Sequence, residues 1–161
     1  MTKISCIIPA YNEGKRIQNV LEIVARHPLV DEVIVVDDGS SDDTGIIVSK
    51  FDNIHLITQE TNLGKTKALY KGTKESSGDF LFFLDSDLIG LTADDITKLI
   101  TPVINNSADI SISLRRNAPW LWHVIGIDYI SGERVLPKNI LFPYLEKMLS
   151  LPRFGIEVFF K

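Results

Sequence analysis

The chain has 161 residues, 45% of them hydrophobic, enough to bury the core of one compact domain and too many for a disordered tail. Seventeen Lys and Arg against twenty-one Asp and Glu leave a net charge of −4, which argues against broad electrostatic binding to nucleic acid or anionic lipid. The one cysteine, Cys6, rules out an internal disulfide and a cysteine-based zinc site.

Short runs rich in Ile and Val alternate with segments of helical period, the pattern of an α/β domain with a mostly parallel sheet of about six strands. The first strand is Ile4 to Ile8, closed by Pro9, and a helix follows from about Glu13 with Ile17, Val20, Leu21 and Val24 on one face. His27-Pro28 ends it. Glu32 to Val36 is the second strand, Asp37 to Ser41 a loop, and Asp42 to Lys50 a helix. Ile54 to Thr58 is the third strand, and Leu63 to Ser76 a helix that Gly78 releases into the apolar strand Asp79 to Leu84. Thr92 can cap a helix that runs to about Thr101, where Pro102 interrupts or ends it. Asp109 to Leu114 alternates like a half-buried strand. Beyond Arg116 the sequence suggests a loop or short helix over Trp120 to Ile125, a helix near Asn139 to Leu149, and a last apolar run from Gly155 to Phe160.

Met1-Thr2-Lys3-Ile4 leads straight into strand-like sequence without the features of a signal peptide, and no uncharged stretch approaches the roughly 20 apolar residues that cross a bilayer. With a lone thiol, the expectation is a cytoplasmic protein without a membrane span in this chain. No repeat or linker divides it, so residues 1–161 read as one domain.

Three polar clusters each follow a buried strand: Tyr11-Asn12-Glu13, Asp37-Asp38 and Asp85-Ser86-Asp87. In a parallel sheet all three lie at carboxyl ends, where open α/β folds bind ligands. Any one cluster could be ordinary turn chemistry, but helix caps do not require paired acids behind two different strands. Asp85 and Asp87, two residues apart on an extended end, can face one hard cation and leave positions open for phosphate oxygens. Gly64-Lys65-Thr66 is not a triphosphate loop, because Gln59 stands where the first glycine belongs. It opens a helix from which Lys65 or Lys67 can reach a phosphate or base. His27, His55 and His123 are isolated and lack metal-ligand spacing. Trp120 and Trp122 suit a core, an acceptor wall or an interfacial patch, and no hydrolase elbow or glycosidase carboxylate pair is evident.

Ile8-Pro9-Ala10-Tyr11-Asn12-Glu13, Val35 to Thr44 with Asp37-Asp38-Gly39-Ser40, Asn62-Leu63-Gly64-Lys65 with Ala68, and Leu84-Asp85-Ser86-Asp87 together resemble, in order and spacing, the family 2 glycosyltransferases of GT-A fold. The resemblance covers about residues 3–90. It implies a Rossmann-like, mostly parallel sheet with helices on both faces, a UDP- or GDP-sugar donor, and Mg²⁺ or Mn²⁺. Carried over by position, Pro9, Tyr11, Asn12 and Glu13 line the nucleotide pocket, Asp37 and Asp38 face base and ribose, and Gly64 and Lys65 border the donor. Asp85 and Asp87 hold the metal and the donor diphosphate.

The second half is similar to the acceptor half of glucosyl-3-phosphoglycerate synthases, through Ser131-Gly132-Glu133-Arg134 and Phe154-Gly155-Ile156-Glu157. It is also similar, through Arg115, Arg116, Ser131 and Arg134, to polyprenyl-phosphate sugar transferases. Both use a phosphate-bearing acceptor, which arginine suits. The Glu-Asp pair of inverting members is missing, so Glu133 and Glu157 are the candidate catalytic bases, and the stereochemical outcome stays open. The chain stops at Lys161, and a C-terminal truncation is expected. The implied protein is a metal-dependent glycosyltransferase with a small-molecule or polyprenyl-phosphate acceptor. Peripheral membrane association and a homodimer remain compatible with it. The alternatives are a non-catalytic nucleotide-sugar-binding module or inactive fragment and, less favoured, a nucleotidyltransferase, against which the absence of a Gly-rich basic loop after the first strand counts.

Overall fold

The computed structural model describes residues 2–113 and 132–150. Six strands form one sheet in the order β3-β2-β1-β4-β6-β5. β1 (Ile4–Ala10), β2 (Glu32–Asp37), β3 (Ile54–Thr58) and β4 (Phe80–Phe83) run parallel. β6 (Arg134–Pro137) lies antiparallel to both β4 and the two-residue β5 (Ser111–Ile112). The mostly parallel expectation holds, with an antiparallel edge added.

Alternate residues of each central strand feed opposite faces. Ile4, Cys6, Ile8, Val33, Val35, Phe82 and Leu84 pack under α1 (Ile17–Val24), α2 (Thr44–Val48) and α4 (Ala93–Ile104). Ile7, Leu81, Phe83 and Leu136 pack against Leu69 of α3 (Lys65–Glu75) and Leu141 of α5 (Lys138–Leu141). Helices therefore cover both faces, as expected of a parallel sheet whose central strands are apolar on both sides along most of their length. Cys6 is fully enclosed, and burial pushes its thiol well up, so it is an inert core residue.

Several boundaries differ from the sequence reading. α1 begins at Ile17 rather than near Glu13, because the Glu13 carbonyl closes a turn with the Arg16 and Ile17 N–H groups first. α4 continues through Pro102 to Ile104. The anticipated strand Asp109 to Leu114 is paired only at Ser111–Ile112 among the described residues. The helix expected near Asn139 to Leu149 is the single turn of α5 followed by a 3-10 segment, Phe142–Ser150, with Pro143 in its first turn unable to donate a backbone bond. β6 was not anticipated as a strand at all. The expected features at Trp120 to Ile125 and Gly155 to Phe160 lie outside the described residues. No helix among the described residues is long and apolar enough to cross a membrane.

Candidate active site

β1, β2 and β4 end side by side, and the three polar clusters leave them at the same edge of the sheet. Pro9 is tolerated within β1 because pairing with β4 ends at Ile7↔Phe83, so its missing N–H deprives no β4 partner. The next residues cross-link the β1 and β2 loops. The Asn12 N–H donates to Ser40 Oγ at 2.9 Å, and the Ser41 N–H donates to Asn12 Oδ1 at 2.9 Å. Asn12 takes the left-handed conformation, with φ 55°, which asparagine tolerates better than most residues. The Glu13 N–H donates to Thr44 Oγ1 and the Gly14 N–H to Asp42 Oδ2. Bonds from Thr44, chiefly its hydroxyl, hold the Asp42 carboxyl below its usual range. Tyr11 stands exposed at the rim.

Asp37 and Asp38 are both buried. Asp37 Oδ1 accepts the Ser40 N–H at 3.0 Å, which shapes the turn through Gly39. At Gly39 φ is +75°, and a Cβ would lie 2.7 Å from the Thr61 carbonyl carbon, so only glycine fits. Asp38, 3% exposed, accepts three bonds: from Gln59 Nε2 at 2.7 Å, the Leu63 N–H at 2.8 Å and the Gly64 N–H at 2.7 Å. Its carboxylate thus ties the end of β2 to the loop that launches α3.

The Asp85 side chain, one fifth exposed, meets Lys65 Nζ at 2.7 Å across the mouth of the site. Burial raises its carboxyl above the usual range against the pull of Lys65, and the charges of Glu133 and Asp87 raise it further. The backbone of Gly132 presses on it from the other side, so that a Cβ there would fall 2.6 Å from Asp85 Cγ. Asp87 is half-exposed, with Arg16 Nη1 3.9 Å away. Arg16 in turn grips Glu13 with two bonds of 2.8 and 3.0 Å. Burial pushes the Glu13 carboxyl up, and Arg16 opposes that shift.

Glu133 accepts a hydrogen bond from the Ser113 hydroxyl, and its neighbour Gly132 lies against the Asp85 carboxylate. Arg134 is 3% exposed within β6, opposite Phe83 and Ile112. Arg115, Arg116, Ser131 and Glu157 lie outside the described residues. The sequence reading gave no role to Arg16, Gly132 or Gln59. Arg16 carried a signal, standing three residues after Glu13 where a helical turn pairs them, whereas Gly132 and Gln59 matter only through folding.

The donor set suits a hard divalent cation. Asp85 and Asp87 both offer carboxylates from the segment that follows β4, Asp85 lying under the negative charge of Asp87 and Glu133, and no group of three or more potential ligands forms among the described residues. Such a cation would therefore complete its shell with ligand oxygens, as Mg²⁺ does at phosphate sites.

The sequence model described as glycosyl transferase family 2 matches residues 5–150. An uncharacterized protein of Methanocaldococcus jannaschii is 37% identical over 119 residues, 68% of this chain and 51% of that protein. The UDP-N-acetylglucosamine–dolichyl-phosphate N-acetylglucosaminyltransferase of Methanococcus voltae is 35% identical over 136 residues, 72% of this chain and 53% of that one. The crystal structure of glucosyl-3-phosphoglycerate synthase from Mycobacterium tuberculosis with Mn²⁺, UDP and glucosyl-3-phosphoglycerate superposes with a TM-score of 0.79 at 28% identity, covering 98% of this chain and 63% of that chain. The chain spans about half the length of the first two relatives. On its sequence and its fold alike, the chain belongs to glycosyl transferase family 2.

Proposed function

We propose that this chain is the donor-binding and catalytic domain of a glycosyltransferase that moves a sugar from a UDP-sugar to a phosphate-bearing acceptor at the β1-β2-β4 edge. The observation that carries the reading is the convergence of Tyr11-Asn12-Glu13, Asp37-Asp38 and Asp85-Ser86-Asp87 at one sheet edge, with Asp85 held in a crowded, mostly buried position. The structural neighbour with UDP and Mn²⁺ supports UDP as the nucleotide, and both named relatives with phosphate-bearing acceptors or products support the acceptor class.

In this reading Pro9, Tyr11, Asn12 and Glu13 wall the nucleotide pocket, Tyr11 offering an aromatic face to the base. Asp37 and Asp38 form its floor beneath base and ribose, and Gly64 and Lys65 border the diphosphate at the start of α3. Asp85 and Asp87 would hold Mn²⁺ or Mg²⁺, which when bound supplies positive charge for the departing diphosphate. The anomeric C–O bond breaks with its electron pair leaving on the diphosphate, and an acceptor oxygen bonds to the carbon as its proton passes to a base. Glu133 or Glu157 serves as that base, and Arg115, Arg116, Ser131 and Arg134 orient the acceptor phosphate. Most of the rate enhancement comes from positioning and charge stabilisation.

The test is a melting series with UDP and GDP, each with and without Mn²⁺, on the wild type and on Asp85→Asn/Asp87→Asn. A ligand that binds only the folded chain raises stability by RT ln(1 + [L]/Kd). The expected result is a clear rise with UDP and Mn²⁺ together that the double variant loses. No rise with either nucleotide, or a rise that survives in the variant, overturns the proposal.

A further inference from the structure

We propose that Lys65 is the resident counter-cation of Asp85 and that a divalent cation gains Asp85 only by displacing it, so that the cation binds poorly until a donor diphosphate offers the ammonium another anion. This inference rests on the reading of Asp85 as a cation ligand, and it assigns Lys65 a gating role within that site.

Lys65 stands where local physics disfavours it. It is the first residue of α3, an eleven-residue helix whose first turn carries no acid, and the positive end of a helix repels a cation. Asp85, arriving from β4 with its oxygen 2.7 Å from Lys65 Nζ, offsets that cost. Asp85 needs the partner equally, because Glu133 and Asp87 crowd it with negative charge. The side chains of Lys65 and Asp85 are only 17% and 20% exposed, so salt screens the pair weakly and neither charge is readily left alone. A divalent cation and an ammonium on the same carboxylate would repel each other at contact distance.

The pair is also built to exchange. The backbone of Lys65 follows Leu63 and Gly64, whose N–H groups are both clamped by Asp38, so movement is confined to the side chain. Lysine carries a compact charge on a flexible four-carbon stem without the fixed fork of arginine. It can therefore pass from Asp85 to a phosphate lying at the same helix end without rearranging the fold. Arg16 forms the contrast, since its guanidinium is committed to Glu13 by two bonds and leaves Asp87 half-exposed. By linkage, whatever the diphosphate does for cation binding, the cation does for diphosphate binding.

The experiment measures Mn²⁺ binding, by paramagnetic resonance of the free ion, to the folded chain with and without UDP. Wild type is compared with Lys65→Met, Lys65→Gln, Lys65→Arg, Lys71→Met and Asp85→Asn, each shown to be folded by its melting curve. Without UDP, the neutral substitutions at Lys65 are expected to tighten Mn²⁺ roughly tenfold, within the usual range of site coupling, and the tightening that UDP confers should shrink by the same factor. Lys65→Arg, which keeps the charge, and Lys71→Met, which removes one elsewhere on α3, should bind Mn²⁺ no more tightly than wild type. If neither neutral variant tightens Mn²⁺ while Asp85→Asn abolishes its binding, the gate is overturned and Asp85 stands as a ligand. If Asp85→Asn binds Mn²⁺ like wild type, the cation reading falls and the gate falls with it.

Discussion

Asp38 shows how a single carboxylate can organise a site before any ligand arrives. It is almost fully buried and satisfies two backbone N–H groups and the Gln59 amide. Asp38→Ala leaves all three donors unmet, and is expected to cost about 3 kcal/mol or more of unfolding free energy, read from urea melts. Glu32 behaves differently. Burial alone would raise its carboxyl, but bonds from the Ser5 hydroxyl and from the Ser77 N–H and hydroxyl outweigh it and hold the group below its usual range. A carboxyl depressed by folding contributes stability that is present above its unfolded pKa and is lost as pH falls through the folded one. Glu32→Gln should therefore flatten the fall in melting temperature below the ordinary glutamate range near pH ~4.3, while an unchanged acid limb would refute the assignment. The gathering of the three polar clusters at one sheet edge was legible in the sequence because each directly follows a buried parallel strand. The direction each carboxylate faces was not, since Lys65 and Asp85, or Asp38 and Gln59, meet only across the folded chain.

Among the elements, β3 and the start of α4 were the most readable. Thr92 caps α4 by accepting from the Asp95 N–H, and the Thr92 N–H donates in return to the Asp95 carboxylate, a reciprocal pair. Thr92→Ala should cost about 1 kcal/mol, measured by chemical denaturation. α3 lies so close to the sheet that a Cβ on Gly72 would fall 2.5 Å from Ile7 Cγ2 and 3.2 Å from Val36 Cγ2. Gly72→Ala gains helix propensity but overpacks that contact, and a net loss of about 1–3 kcal/mol is expected; stabilisation instead would mean that the layers separate freely. β6 escaped the sequence reading for a physical reason. Arg134-Val135-Leu136-Pro137 is short, begins with a charge and ends with proline, so its strand character comes from β4 beside it rather than from its own pattern.

At the scale of the molecule, the parallel sheet and its two helical layers followed from the alternation of apolar runs and helical periods, and the antiparallel edge did not. β1 is buried along all seven residues and lies between two parallel partners, whereas β3 pairs on one side only and is mostly half-exposed. Amide exchange should accordingly be slowest in β1 and its neighbours and fastest in β3 and β5; equal protection across the sheet would contradict this core assignment. The late pairing of β6 also sets a timetable for synthesis. β4 leaves the ribosome well before its partner, since Phe83 must wait for Arg134 and Phe80 for Pro137. At ~5–20 residues per second, that interval lasts about 3–10 seconds. Throughout it the growing chain carries β4 as an open edge, with Leu81 and Phe83 not yet covered by Leu136 and Leu141. Crowded nascent chains would adhere along that edge, making the passage from α4 to β6 the stretch of translation most in need of a chaperone.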